Sequence, residues 1–92
     1  MSVQIHIPTP LRSYTDKHAS VTVSGNTVGE ALAALLNSYP SLQKHLYDSK
    51  GTLRSFVNLY LGDEDIRQLD GLDTDLDDGD ELTIVPSIAG GL

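Results

Sequence analysis

Six apolar residues, Val28, Ala31, Leu32, Leu35, Leu36 and Tyr39, recur at the i, i+3, i+4, i+7, i+8 and i+11 positions of one helix face. A stripe of that width is stable only against another apolar surface, so the rest of the chain has to supply a layer for it to lie on. Just ahead of it, Thr27 and Glu30 stand three residues apart in the capping-box pattern, in which each side chain takes up a free backbone N–H at the helix start. Pro40 ends the segment, because a proline disfavours helical geometry at the residue before it.

The layer is written in period two. Val3, Ile5 and Ile7 alternate with Gln4 and His6, and Ala19, Val21 and Val23 alternate with Ser20, Thr22 and Ser24. Pro8 and Pro10 interrupt between them, so the two segments predict an antiparallel hairpin with a loop of about ten residues. Residues 41–55 carry no regular pattern and are expected to be irregular, with Leu42 and Leu46 tucked under the sheet. Phe56 to Leu61 predicts a third strand, and Asp63-Glu64-Asp65 a turn into a short strand around Ile66. Asp70 to Leu76 predicts a single helical turn, Asp78-Gly79-Asp80 a tight turn, and Leu82 to Pro86 the last strand.

One helix against this order of strands is an α+β arrangement, closed most naturally as a β-grasp (ubiquitin-like) fold with a mixed four- to five-stranded sheet and one main helix. The expected core is Val3, Ile5, Ile7, Val21, Val23, Leu32, Leu35, Leu36, Leu59, Leu82 and Ile84. Residues 1–86 are expected to form the domain and residues 87–92 a flexible C-terminal tail, Ser87-Ile88-Ala89-Gly90-Gly91-Leu92.

Composition excludes more than it asserts. The chain has no cysteine, which removes disulfides, thiolate metal sites and a thiol nucleophile together. No apolar run approaches the roughly 18–20 residues of a membrane span, so no membrane association and a cytoplasmic location are expected. Residues 1–61 hold five Lys/Arg against three Asp/Glu, whereas residues 62–92 hold only Arg67 against ten acids. A nucleic-acid partner needs the opposite sign. The acidic stretch 63–81 reads either as a solvated face or as a surface steering the chain toward a basic protein.

Asp78-Gly79-Asp80-Glu81-Leu82-Thr83-Ile84-Val85-Pro86, followed by Ile88-Ala89-Gly90-Gly91, resembles the C-terminal signature of β-grasp sulfur carriers. That family includes the small subunit of molybdopterin synthase and the thiamine-pathway carrier. Phe56-Val57-Asn58-Leu59-Tyr60 with Asp63-Glu64-Asp65, and Pro8-Thr9-Pro10-Leu11-Arg12, is most similar to the branch serving cysteine synthesis.

The resemblance implies a protein substrate rather than an enzyme. The Gly91 carboxylate would attack the α-phosphate of ATP on an adenylating activating enzyme, and a sulfur donor would displace AMP to leave a thiocarboxylate. The carrier would bind no cofactor of its own, ATP being used by the activating enzyme. A sulfur-accepting synthase would then consume the sulfur. Ala89 and Gly90 would thread the enzyme channel, where a residue without a bulky side chain allows close approach of backbone. Family members ready to act end on the second glycine, and here Leu92 follows Gly91. Leu92 is therefore either a remnant that a metallopeptidase removes or an added residue.

Two competing chemistries are weak. His6, His18 and His45 lack the spacing of a zinc site, so no metal is expected. Asp73-Thr74-Asp75-Leu76-Asp77 opens like a calcium loop, but Asp78 and Ile84 occupy the positions that need Gly and Glu. Phe56, Asn58 and Tyr60 share strand parity and, with Asp63, Glu64 and Asp65, form a candidate partner surface, while Val57, Leu59 and Leu61 are expected to face the core. The alternative functions are a ubiquitin-like modifier conjugated through Gly91 and a non-catalytic β-grasp interaction domain.

Overall fold

The hairpin comes first because its two alternations meet in register. In the computed structural model, which describes residues 2–54 and 57–86, β1 (Ser2–His6) and β2 (Ser20–Ser24) pair antiparallel, with Val3 opposite Val23 and Ile5 opposite Val21. The intervening loop is ordered as a 3-10 turn, Thr9–Tyr14, with Pro10 in its first turn. Asp16 and Lys17 follow at φ 54° and 68°, a left-handed pair pinned by the Lys17 N–H donating to the Arg12 carbonyl at 2.7 Å. Buried Thr15 donates its hydroxyl to the carbonyl of His18 at 3.0 Å.

Helix α1 (Val28–Ser38) starts as the capping box requires. The Thr27 hydroxyl accepts from the Glu30 N–H at 3.2 Å. The Glu30 carboxylate accepts at 2.9 Å from the N–H of Asn26, one residue earlier than the capping residue itself. Val28, Ala31, Leu32 and Leu35 are buried, while Leu36 and Tyr39 are half-buried at the edge of the stripe. Gly25 lets the helix come this close: a Cβ there would lie 2.7 Å from the Ala31 backbone nitrogen.

Segment 41–54 departs from the irregular expectation. Pro40–Leu42 forms a 3-10 turn running into a short helix, α2 (Gln43–Leu46), which carries Leu42 and Leu46 fully into the core. β3 (Val57–Leu61) follows. The next strand, β4, is Glu64–Asp65 rather than a segment around Ile66. Ile66 instead opens a 3-10 turn, because the Asp65 carboxylate caps the Arg67 N–H at 2.9 Å. A last 3-10 turn, Gly71–Asp73, lies within the expected 70–76 segment. The turn before the final strand has Gly79 at φ 89°, and β5 is Glu81–Pro86.

The sheet order is β2-β1-β5-β3-β4. β5 is central, parallel to β1 and antiparallel to β3, so the sheet is mixed. Its inner face, with Val3, Ile5, Val57, Leu59, Leu82 and Ile84, packs on α1 in one core. Val21 and Leu61 border that core as half-buried residues. The architecture is α+β of the β-grasp type. Among the described residues, no helix is long and apolar enough to cross a membrane.

Candidate functional site

Strand direction decides where the chemistry-bearing end can be. β5 runs parallel to β1, and Pro86 is paired with Val57, so the tail leaves the sheet at the end where β1 finishes, β2 starts and β3 starts. Gly91, Gly90, Ala89 and Leu92, named above for attachment, threading and processing, lie outside the described residues, as does Phe56. What the structure supplies is the surface from which residues 87–92 begin.

At this root end the 3-10 turn 9–14, the loop 15–19 and α2 come together. The turn and α2 border, with Arg54, Val57 and Pro86, a cleft of about 320 Å³ whose lining includes Pro10, Leu11, Lys44 and His45. The His45 ring packs on Tyr14 with centroids 4.3 Å apart, and its Nε2 is buried without a hydrogen-bond partner among the described residues. Arg54 Nε donates to the Lys44 carbonyl at 3.0 Å, and Arg12 Nε donates to the Ile7 carbonyl at 3.0 Å. These bonds hold the stems of two guanidinium groups at the root. Among the described residues, neither arginine, nor Lys17 or Lys44, has a carboxylate within 4.0 Å.

The opposite end of the sheet is acidic. Asp63, Asp80 and Glu81 line a shallow groove of about 460 Å³ there. Several of these acids have structural work. Asp78 Oδ1 accepts from the Ser2 N–H at 2.8 Å, and Asp80 Oδ2 accepts from the Asp77 N–H at 2.8 Å. At the sheet edge the Arg67 side chain donates to both oxygens of Asp65, at 3.3 Å each. The hydrogen bonds from Arg67 hold the Asp65 carboxyl below the usual carboxylate range and push the guanidinium up. Among the described residues no group of three or more His, Asp or Glu side chains could hold a metal ion.

The sheet face turned away from α1 is mostly polar. Asn58 and Tyr60 lie on it as expected from parity, half-buried, opposite Val85 and Thr83 of β5, and Tyr60 is also opposite Asp65 of β4. Asp63 and Glu64 lie in and just after the turn at the acidic end. His6 Nε2 meets Glu81 Oε1 at 2.6 Å, linking β1 to β5. The sequence reading missed Val85, 41% exposed beside Asn58, although its parity opposite Leu82 and Ile84 signalled it. It also missed Lys44, His45 and Arg54, which the local pairing of Tyr47 with Leu53 and the bond from the Arg54 N–H to the Leu46 carbonyl bring together.

Comparison with known proteins fits this geometry. The model of the ThiS family matches residues 5–91, ending on Gly91. The sulfur carrier protein CysO of Mycobacterium tuberculosis is 44% identical over 93 residues, covering 99% of this chain and all of that one. Its crystal structure superposes with a TM-score of 0.85 at 42% identity, over 94% of this chain and 99% of that one. A chain of the Amycolatopsis orientalis BexX/CysO complex gives 0.87 at 38% identity, over 97% and 99%. A shorter match, 37% over 65 residues and about seven-tenths of each chain (71% and 70%), is to small archaeal modifier protein 3 of Haloferax volcanii. The chain has the β-grasp fold of these carriers along nearly its whole length, and it belongs to the ThiS family.

Proposed function

We propose that this chain, a sulfur carrier by family and by full-length likeness, carries its sulfur as a thiocarboxylate on Gly91. Its carboxylate attacks the α-phosphate of ATP on an adenylating enzyme, forming the acyl-adenylate and releasing pyrophosphate. Hydrosulfide, or an equivalent sulfur donor, then adds to the acyl carbon and AMP departs, leaving the thiocarboxylate and a proton. Adenylation is needed because an oxide is a poor leaving group, whereas AMP is a good one. The chain's part in these steps is the Gly91 carboxylate itself, which is nucleophile in the first and acyl donor in the second, so the chain acts as a protein substrate.

The observation that carries the reading is the central, parallel β5. It ends at Pro86 on one edge of the globular body, and the family match continues to Gly91. Five residues beyond Pro86 reach about 16–18 Å when extended, enough to enter a channel to a bound nucleotide. Anything beyond Gly91, including Leu92, has to be removed first, and a metallopeptidase is the proposed agent. The thiocarboxylate then supplies a biosynthetic synthase, of the cysteine, molybdopterin or thiamine type. With these partners the proposed location is the cytoplasm.

The test is ATP–pyrophosphate exchange by the adenylating enzyme in the presence of the chain ending at Gly91. Exchange that depends on the chain, followed by replacement of one oxygen by sulfur in its intact mass when a sulfur donor is added, supports the carrier reading. Exchange with no sulfur gain under donor, and Gly-Gly remnants on lysines of cell protein, would favour the modifier reading. The likeness to the Haloferax modifier supports that second reading over part of the chain.

A further inference from the structure

We infer that the cationic cleft at the tail root is the docking surface for the adenylating enzyme that takes the tail, and that it meets an acidic rim around that enzyme's channel. The inference rests on the carrier reading above and adds the chemistry of the partner. Because Gly91 lies no more than about 16–18 Å from Pro86, a channel that swallows the tail has to bring its mouth against the root end. The surface around Pro86 is therefore the part of the body the rim touches first.

That surface is cationic. Lys44 and Arg54 line the cleft together with Pro86, and Arg12 and Lys17 lie in the adjoining turn and loop. Among the described residues the acids at this end are Asp16 and Asp48, and Asp48 is engaged by the N–H groups of Lys50 and Thr52 at 2.9 and 3.0 Å. Within the same cleft the buried Nε2 of His45 has no partner among the described residues. Guanidinium and ammonium groups with no carboxylate near them are matched by carboxylates on a partner, since complementary charge fixes register and speeds encounter.

The far end strengthens the choice. Asp63, Glu64, Asp77, Asp78, Asp80 and Glu81 lie at the other end of a strand about 17 Å long. A molecule so polarised presents its root end to an acidic rim and turns its acidic end away. The apolar part of the cleft, Pro10, Leu11 and Pro86, accepts a side chain from the rim once the charges have aligned it.

The experiment uses the chain ending at Gly91 and the adenylating enzyme, identified by its chain-dependent pyrophosphate exchange. Association is followed by stopped flow at low and high salt for the parent, for Lys44→Glu with Arg54→Glu, and for Asp63→Lys with Glu64→Lys. Lys44→Glu alone is included because Arg54→Glu also removes the bond to the Lys44 carbonyl. The root swap is expected to slow association about tenfold or more at low salt, with the gap narrowing at high salt, and Lys44→Glu alone about threefold. The far-end swap is expected to leave the rate unchanged or raise it. Root variants that fold normally and associate as fast as the parent would overturn the inference, whatever the far-end swap does. If the parent chain supports no exchange with any adenylating enzyme of its own cell, the carrier reading fails instead.

Discussion

The two ends of the sheet use charge in opposite ways. At the acidic end carboxylates are built into the fold: Asp78 holds the first residue of β1 through the Ser2 N–H, and Asp80 closes its own turn on Asp77. At the root end the cations have no carboxylate within 4.0 Å among the described residues. Among the described residues Arg12 and Arg54 are tied only by their Nε atoms to backbone carbonyls, and the loop beside them holds two consecutive residues in the left-handed region. Asp65, Asp78, Asp80 and Glu81 are thus bonded within the molecule, whereas the root cations have no carboxylate partner among the described residues and their charge is open to a partner. Net charge alone, −7 for the chain, does not show this division.

If the acidic end is structural, perturbing it should cost stability. Gly25→Ala is the largest expected effect. The added Cβ meets the Ala31 backbone, which cannot move without moving α1, and the loss should be about 1–3 kcal/mol in urea unfolding. A loss near zero would mean that the helix start yields easily and that this end is not tightly built. Next comes Asp78→Ala, which leaves the Ser2 N–H without its carboxylate and should cost about 0.5–1.5 kcal/mol. An indifferent Asp78 would remove the contrast between the two ends.

The root end should respond with the opposite sign. Lys17 sits at φ 68°, a conformation glycine adopts without a Cβ penalty, so Lys17→Gly should stabilise the fold by about 0.5 kcal/mol. The same change removes a root cation and should slow association with the adenylating enzyme. Stability gained while association slows would mark this loop as held for binding rather than for folding.

The smallest effect concerns the sheet edge. The folded-state pKa of Asp65 is depressed by Arg67, so its contribution is present above the unfolded carboxylate value of about 4 and is lost as pH falls through the folded value. The stability difference between the parent and Asp65→Asn should therefore be seen at neutral pH and shrink in acid. A difference that does not change with pH would show that the pair with Arg67 contributes nothing measurable.

The sequence made some of this visible and hid the rest for physical reasons. The hairpin and α1 were legible because several residues repeat one period, and Thr27 with Glu30 marks a start that the hydrogen bonds bear out. Helix α2 was not, since four residues are too few to show a period and no side chain caps it. Ile66 read as a strand because it is apolar, but the short reach from Asp65 to the Arg67 N–H turns the chain there. The Gly90-Gly91 ending was legible as a motif. The cleft beside its root was not, because Pro10 and Pro86 reach the Lys44–Arg54 pair only through the tertiary fold.

The central claim is that Gly91 is the acyl terminus, and intact mass tests it most directly. Chains ending at Gly90, Gly91 and Leu92 are each incubated with the adenylating enzyme, ATP and a sulfur donor, without peptidase. A misplacement of about 1 Å at a reacting centre can cost roughly 100-fold in rate. Only the chain ending at Gly91 is therefore expected to exchange oxygen for sulfur at an appreciable rate, and the other two should remain unchanged. Equal thiocarboxylate yield from the Leu92 and Gly91 chains would contradict the account.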